Sequence, residues 1–488
     1  MRTSVFLLIG CAALAGCGDA ESAQPSADAE VDAAESSVDT ATGDTGTNDT
    51  GVALDTTDAS DTALDGVTDG AADAAEGLDS ADAAETADGS PDSADTADTI
   101  APDTGPADTG SVDTGPADTG CGGTVSTTTT DLYVDKASTA PSVGNAACPF
   151  RTIREATELA WSGTGTRTVH VKAATYTESG IVRVRARVAL VGEGAATTKI
   201  TGGNATTYCY GPPVGSSTPC MVYVESAGSV DGFSVGFTAS TTAGDGLVLG
   251  DEAGVAPIVK NVTVTGIPRN GISTLGAAEL GPNLHADKNG GSGVSSGGSA
   301  AVLVHVVGTT NSFDGNAFGF GVIGGAILTF EGGTASGNSV HGLALSGPTG
   351  SSKHVVTALV AKKNAYVGVS VSSQASLTLR DSVVLENGDG LRFYYGTTNK
   401  LDIGTSASPG NNVFNAPTTA ANLHVGVCLA SAPATGAQPA IGNKWSACPV
   451  VQTAIAACDG TGPARDAAFA PATSGPNPLV TTGCSVGP

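Results

Sequence analysis

The sequence predicts an all-β solenoid, a parallel β-helix built from short stacked strands. Three observations predict it. Glycine opens a recurring segment at Gly246, Gly271, Gly293, Gly319, Gly342, Gly368 and Gly390, about 22 to 26 residues apart, a spacing typical of repeat arrays. Each opener leads into a short apolar stretch of period two, as in Gly342-Leu-Ala-Leu-Ser346. That is the pattern of a strand with alternate side chains buried. An asparagine precedes most openers, at Asn270, Asn289, Asn316, Asn338, Asn364 and Asn387.

One such unit cannot bury a core alone. Stacking the units turns their inward faces into one continuous column, and each strand then pairs with the coils above and below. The density of glycine, and Val, Thr and Ser at period two, disfavour a helical reading. Asparagine tolerates the left-handed conformation of a turn, and its amide can pair with the asparagine of the next coil in a ladder. Turn chemistry therefore accounts for these residues without a ligand. The coils resemble the right-handed parallel β-helix repeats of the pectin-lyase-like superfamily. The resemblance rests on period and pattern and spans about two thirds of the chain.

The segments before the repeat have other characters. Arg2 precedes an apolar stretch from Val5 to Leu14, too short to span a bilayer and readable as an export signal over residues 1–16. Leu14-Ala15-Gly16-Cys17 resembles a bacterial lipobox. The resemblance implies that Cys17 is lipidated and becomes the N-terminus of a cell-envelope protein, at the outer membrane or cell surface, with the membrane as a partner through its anchor. Residues 17–120 read as a disordered tether. Between Gly18 and Gly120 lie 27 of the chain's 48 acidic residues and no Lys or Arg. Such a segment cannot bury enough apolar surface to order itself, and a flexible chain of that length reaches about 50–60 Å. Calcium loops place oxygen ligands at close, regular spacing, whereas from Asp55 to Asp118 the acids sit three to five residues apart with proline intervening. From Cys121 onward the chain holds 21 acidic and 20 basic residues, so no basic footprint for nucleic acid is present.

A folded domain is expected over 121–427. Leu132-Tyr-Val-Asp135 reads as its first strand, and Thr152 with Glu155 as a capping box opening a short helix. Ile153, Ala156, Leu159 and Ala160 give that helix one apolar face, suited to covering the open end of a stacked sheet. Tyr133-Val134-Asp135, Cys148-Pro149-Phe150-Arg151-Thr152-Ile153, Thr175-Tyr176-Thr177-Glu178 and Val191-Gly192-Glu193-Gly194 together resemble the N-terminal cap of an uncharacterised family of bacterial β-helix envelope proteins. That resemblance implies fold and location, with no activity attached.

Val182 to Leu190 alternates strictly, with Val182, Val184, Ala186, Val188 and Leu190 expected inward. Arg183, Arg185 and Arg187 would then line one outer strand, a row able to hold an anionic glycan or simply to keep the surface soluble. In Leu391-Arg-Phe-Tyr-Tyr-Gly396, alternation puts Arg392 and Tyr394 outside, as a pair suited to a sugar, and Phe393 and Tyr395 inside. Asp245, Asp251 and Glu252 are weak candidates for calcium, the one cofactor considered. Eight cysteines follow the tether: Cys121, Cys148, Cys209, Cys220, Cys428, Cys448, Cys458 and Cys484. In an exported chain an even number reads as disulfides, with 105 possible pairings. Sequence proximity suggests Cys121–Cys148, Cys209–Cys220, Cys428–Cys448 and Cys458–Cys484. Beyond Val427 the repeat decays into Ala, Pro, Gly and Cys, read as a stapled terminal cap over 428–488.

Function must be argued from residues, because a fold hosts many activities. Of the motifs of polygalacturonase-like enzymes the chain holds only His341-Gly342, where a turn role suffices. The Asp-Pro-His-Glu motif of alginate epimerase-like proteins is missing. Glu331, Asp287 and Asp314, with His285 or His305, can be brought together by stacking, but the sequence does not choose among them. No residue is therefore assigned a catalytic, cofactor or metal role. The expectation is a non-catalytic surface binding or structural module, with polysaccharide as the partner. The alternatives are a polysaccharide lyase, hydrolase or epimerase on the same coils, and a passive coat.

Overall fold

The computed structural model describes Cys121 and residues 129–486, apart from 203–208, 210–218, 238–243, 252–253, 299–301, 348–352, 373, 395, 397–398, 417–420, 431–437, 451, 455–464 and 470–478. The leader, Cys17 and the tether lie outside the described residues, as do Glu252, Tyr395 and Cys458.

The chain winds as a parallel solenoid with three faces. A typical coil runs through Ser229–Asp231 on the first face, Ser234–Phe237 on the second and Asp245–Leu249 on the third. The first face is an eleven-stranded sheet from Asp131–Val134 to Leu401–Asp402, and the third is a twelve-stranded sheet from Val182–Val184 to Gln452–Ala454. The second face consists of shorter strands, continued through single bridges such as His285 to Ser312 and Ser312 to Thr334. Strands align residue on residue, so like positions stack. Val222, Leu247, Ile272, Val294, Phe320, Leu343, Val369, Leu391 and Val427 form one inward column on the third face, every member buried. Each such side chain contributes about 1.5–3 kcal/mol. Aromatic residues fill the wider parts of the core. Phe313, Phe320 and Phe330 meet with centroids 5.5–6.5 Å apart, and Phe414 packs on Trp445 at 5.3 Å.

The asparagine ladder forms where the second face turns into the third. Asn289, Asn316, Asn338, Asn364 and Asn387 each donate the backbone N–H to the side-chain oxygen of the next asparagine, ending on Asn422, at 2.8–3.1 Å. A buried turn has no water to satisfy its amides, so these side chains must. Asn270 is the exception among those expected. It is only half-buried and lies outside the ladder, pairing instead with Ser273 and the N–H of Ser292. The opener glycines are explained by the same ladder. A Cβ at Gly271 would lie 2.6 Å from Asn289 Nδ2, and one at Gly342 would lie 2.5 Å from the Gly368 carbonyl.

The helix forms at Ile153–Trp161 with Thr152 as its N-cap, and Thr152 Oγ1 accepts from Glu155 N at 3.3 Å. Ile153, Ala156 and Ala160 bury into the core, with Leu159 packed at its margin. The first free N–H of the helix, at Ile153, is served by Glu178 from the second face at 2.9 Å. Burial pushes the Glu178 carboxyl above its ordinary range, and the backbone donors of Ile153 and Arg154 oppose this.

Three expectations need revision. The run Val182–Leu190 is not one strand: it splits into Val182–Val184 on the third face and Val188–Gly192 on the first. Arg187 turns the corner between them at φ 69°, so the three arginines do not share a row. The tail disulfides differ too. Cys121–Cys148 and Cys209–Cys220 form, but Cys448 pairs with Cys484. Strand Lys444–Trp445 lies beside Ser485–Val486, and this register outweighs sequence proximity. Cys428, also disulfide-bonded, stands on the third face between Arg392 and Ala468. Coil stacking also runs past residue 428, because Val425–Ala430 pairs with Arg465–Phe469.

Candidate functional site

The outer surface of the third face offers the best-formed candidate site. One outward column reads Tyr223, Val248, Ser273, Ser295, Gly321, Ala344, Ser370, Arg392 and Cys428. Its middle consists of small residues. Ser295, Gly321, Ala344 and Ser370 stand on four adjacent strands, a floor roughly 15 Å long at the usual strand spacing. At one end Tyr223 and Val248 are closed over in a cluster with Ile181, Cys209 and Cys220. Arg392 rises at the other end.

Arg392 and Tyr394 lie on strand Asp389–Tyr394. As alternation requires, Phe393 between them is fully buried and Tyr394 is 37% exposed. Ser370 and Cys428 flank Arg392 in register, and their small size leaves room for the guanidinium. Asp389, three residues back, is 1% exposed and pairs with Arg392 through Oδ2, the Nε contact being 2.9 Å. Burial disfavours the Arg392 charge, but Asp389 and Tyr394 more than offset it, so the pKa lies above the ordinary arginine value. Asn399 donates Nδ2 to the Tyr394 carbonyl at 2.8 Å. His341 lies two strands away on the same face, edge-on to Phe318 at 5.6 Å. Burial, with Arg392 adding to it, pushes His341 down to about 4. Asp389 Oδ1 and His341 Nδ1 are both buried, and neither has a hydrogen-bond partner among the described residues. Exposed Tyr366 and Leu423 border the same edge.

The other sequence candidates are dispersed. Arg183 stands beside Tyr223 on the third face. Arg185 is committed to Glu225 at 3.3 Å and Glu158 at 3.6 Å, and it stacks on Trp161 at 4.3 Å. Arg187 donates to the Thr164 carbonyl at 2.8 Å. The acid and base candidates separate onto two faces. His305 pairs with Glu331 at 2.8 Å on the first face. His285, Ser312 and Asp287 form a chain on the second: His285 Nδ1 meets Ser312 Oγ at 2.8 Å, and Ser312 donates to Asp287 at 2.6 Å. Asp287 also accepts from Asp314 N, and Asp314 in turn from Thr334 Oγ1 and Ser336 N. Burial raises the Asp314 pKa, opposed by its donors from Ser336 and Thr334. Each carboxylate thus takes a hydroxyl and an amide from the next coil, which is a means of holding coils together. Asp245 repeats the device with Ser273 Oγ and Asn270 N, so its oxygens are already engaged. Among the described residues no three His, Cys, Asp or Glu side chains converge as metal ligands.

The sequence reading missed Asp389, the residue that holds Arg392, and the two orphaned polar atoms. Asp389 sits directly before the opener Gly390 and reads as a turn residue. Its i, i+3 spacing to Arg392 was the available signal.

The chain matches the family described as right handed beta helix region over residues 245–406, and the fold is a right-handed parallel β-helix. No curated protein sequence matches the chain. Among solved structures it is similar to the A-module of the Azotobacter vinelandii mannuronan C-5 epimerase AlgE4, at 17% identity and TM-score 0.38, covering 73% of this chain and 100% of that one. It is similar to the Dettilon tailspike protein at 12% identity and TM-score 0.40, covering 70% and 68%. A further likeness is to the catalytic domain of a GH87 α-1,3-glucanase, at 13% identity and TM-score 0.37, covering 68% and 67%. At such identities no residue role passes from them to this chain.

Proposed function

We propose that the chain is a lipid-anchored cell-envelope protein that presents its β-helix as a non-catalytic polysaccharide-binding module. The observation that carries this reading is the Arg392–Asp389 pair beside exposed Tyr394, at the end of a floor of small side chains. The pair offers guanidinium donors at the surface, held in place by the buried Asp389 carboxylate, which suits a hydroxyl-rich polymer. A ring such as Tyr394 supplies apolar surface for the carbon face of a sugar. The floor gives the rest of the polymer a path across neighbouring coils. A catalytic reading has less support, because the candidate acids outside this face are already engaged: Asp287 and Asp314 by an amide and a hydroxyl of the next coil, and Glu331 by His305 and the Gly308 amide of the coil before.

The test is retention of the protein on immobilised acidic and neutral polysaccharides, with Arg392→Ala and Tyr394→Ala as variants and with products followed in parallel. Retention that survives both substitutions on every polymer counts against the site; turnover counts against the non-catalytic reading. Anchoring rests on the Leu-Ala-Gly-Cys17 motif. It is tested separately by Cys17→Ala, which releases the protein from membranes if the motif is used.

A further inference from the structure

A second recess lies on a different face, at the N-terminal end of the solenoid. It is a cavity of about 480 Å³, within the size range of small-ligand pockets. Two outward columns of the first sheet form its walls. One wall is Tyr133, His170 and Val191; the other is Asp135, Lys172 and Glu193. Between them the floor is strand backbone at Val134, Val171 and Gly192. The segment carrying Ala146 and Pro149, stapled by Cys121–Cys148, closes one end.

The two walls differ in chemistry. Tyr133 and His170 stack with centroids 5.1 Å apart, and Val191 continues the apolar surface. Asp131 holds His170 in place at 2.8 Å. Across the recess Lys172 donates to Asp135 at 2.9 Å, and the exposed ammonium has further donors to give. Glu193 Oε2 accepts from Ala173 N at 3.0 Å, leaving its other oxygen facing solvent. A donor and an acceptor thus stand side by side on one wall, opposite carbon surface on the other. Vicinal hydroxyls of a sugar both give and accept hydrogen bonds, and the ring carries C–H faces, so the pattern matches a saccharide. Asp135 and Glu193 outnumber Lys172 in charge, which disfavours a polyanion.

We propose that this recess is a second binding site, for a neutral saccharide, separate from the Arg392 surface. It does not depend on that surface, since the two lie on different sheets of the solenoid. The experiment is calorimetric titration of the full chain with cellohexaose, mannohexaose and maltohexaose, and with hexagalacturonate as the polyanion. The expected result is binding of at least one neutral hexaose. Tyr133→Ala and Glu193→Gln should weaken it tenfold or more, Lys353→Ala, at an exposed position on a distant strand of the same face, should leave it unchanged, and hexagalacturonate should not compete. Glu193→Gln keeps an acceptor for Ala173 N, so the test survives if Tyr133→Ala fails to fold. No binding of any neutral hexaose overturns the proposal. So does binding that is insensitive to Tyr133 and Glu193 or weakened as much by Lys353→Ala.

Discussion

Asn338 gives both its backbone N–H and its side-chain amide to one oxygen of Asn364, at 3.1 and 2.9 Å. Asn364 does the same to Asn387, at 3.0 and 2.8 Å. Replacing Asn364 by Ala therefore orphans groups on both sides of it in a dry turn. The expected loss is about 2–4 kcal/mol, read as a fall in Tm. Gly342→Ala strikes the same seam from the side. Its Cβ would press on the carbonyls of Gly368 and Ala335 at 2.5 and 2.9 Å, and backbone cannot yield as a side chain can. A loss of about 1–3 kcal/mol follows, measured by the same melt.

The pH dependence of stability has a definite sign at His354. This histidine is fully buried, and its Nδ1 accepts from Leu328 N at 3.1 Å, serving an amide just outside the adjoining strand pairing, which starts at Thr329. Burial pushes its pKa from 6.5 down to about 4. Because the folded value lies below the unfolded one, the unfolded chain takes up the proton first. Stability is full above about pH 6.5 and falls as the pH drops towards 4, by on the order of 2–4 kcal/mol from this residue. The buried carboxyls of Glu178, Asp245 and Asp314, whose pKa values are raised by burial, act in the opposite sense at the acid end. His354→Asn retains an acceptor without the titration. Denaturant melts between pH 7 and 5 should show a flatter slope for the variant; an unchanged slope would remove His354 from the account.

Non-reducing peptide mapping should recover Cys121–Cys148, Cys209–Cys220 and Cys448–Cys484 as linked pairs. Breaking Cys448–Cys484 with a double Ser substitution should cost about 2–4 kcal/mol. A Cys428–Cys448 peptide would show that the register of Lys444–Trp445 against Ser485–Val486 is wrong.

Much of the coil architecture was legible because its causes are local. A glycine opener, period-two burial and an asparagine at the turn each leave a mark within one repeat. The capping helix was legible for the same reason, since Thr152 and Glu155 lie in one turn. What escaped depends on neighbours distant in sequence. Arg187 ends a strand that alternation alone would continue, because the chain must turn from the third face to the first. Asn270 leaves the ladder because Asp245 and Ser273, a coil apart, claim it. Glu178 completes the helix cap from a strand that pattern reading treats separately. The site divided in the same way. Alternation correctly placed Arg392 and Tyr394 outside and Phe393 inside, whereas the role of Asp389 and the small-residue floor across four strands required the register.

The most direct measurement follows the wild-type protein and Arg392→Ala on a panel of immobilised acidic and neutral polysaccharides, while the soluble phase is assayed for unsaturated products and new reducing ends. The account predicts retention of the wild type on at least one polymer, a loss of tenfold or more in Arg392→Ala, equivalent to about 1.4 kcal/mol, and no product from either. Retention that Arg392→Ala leaves unchanged on every polymer, or product from any polymer, would contradict it.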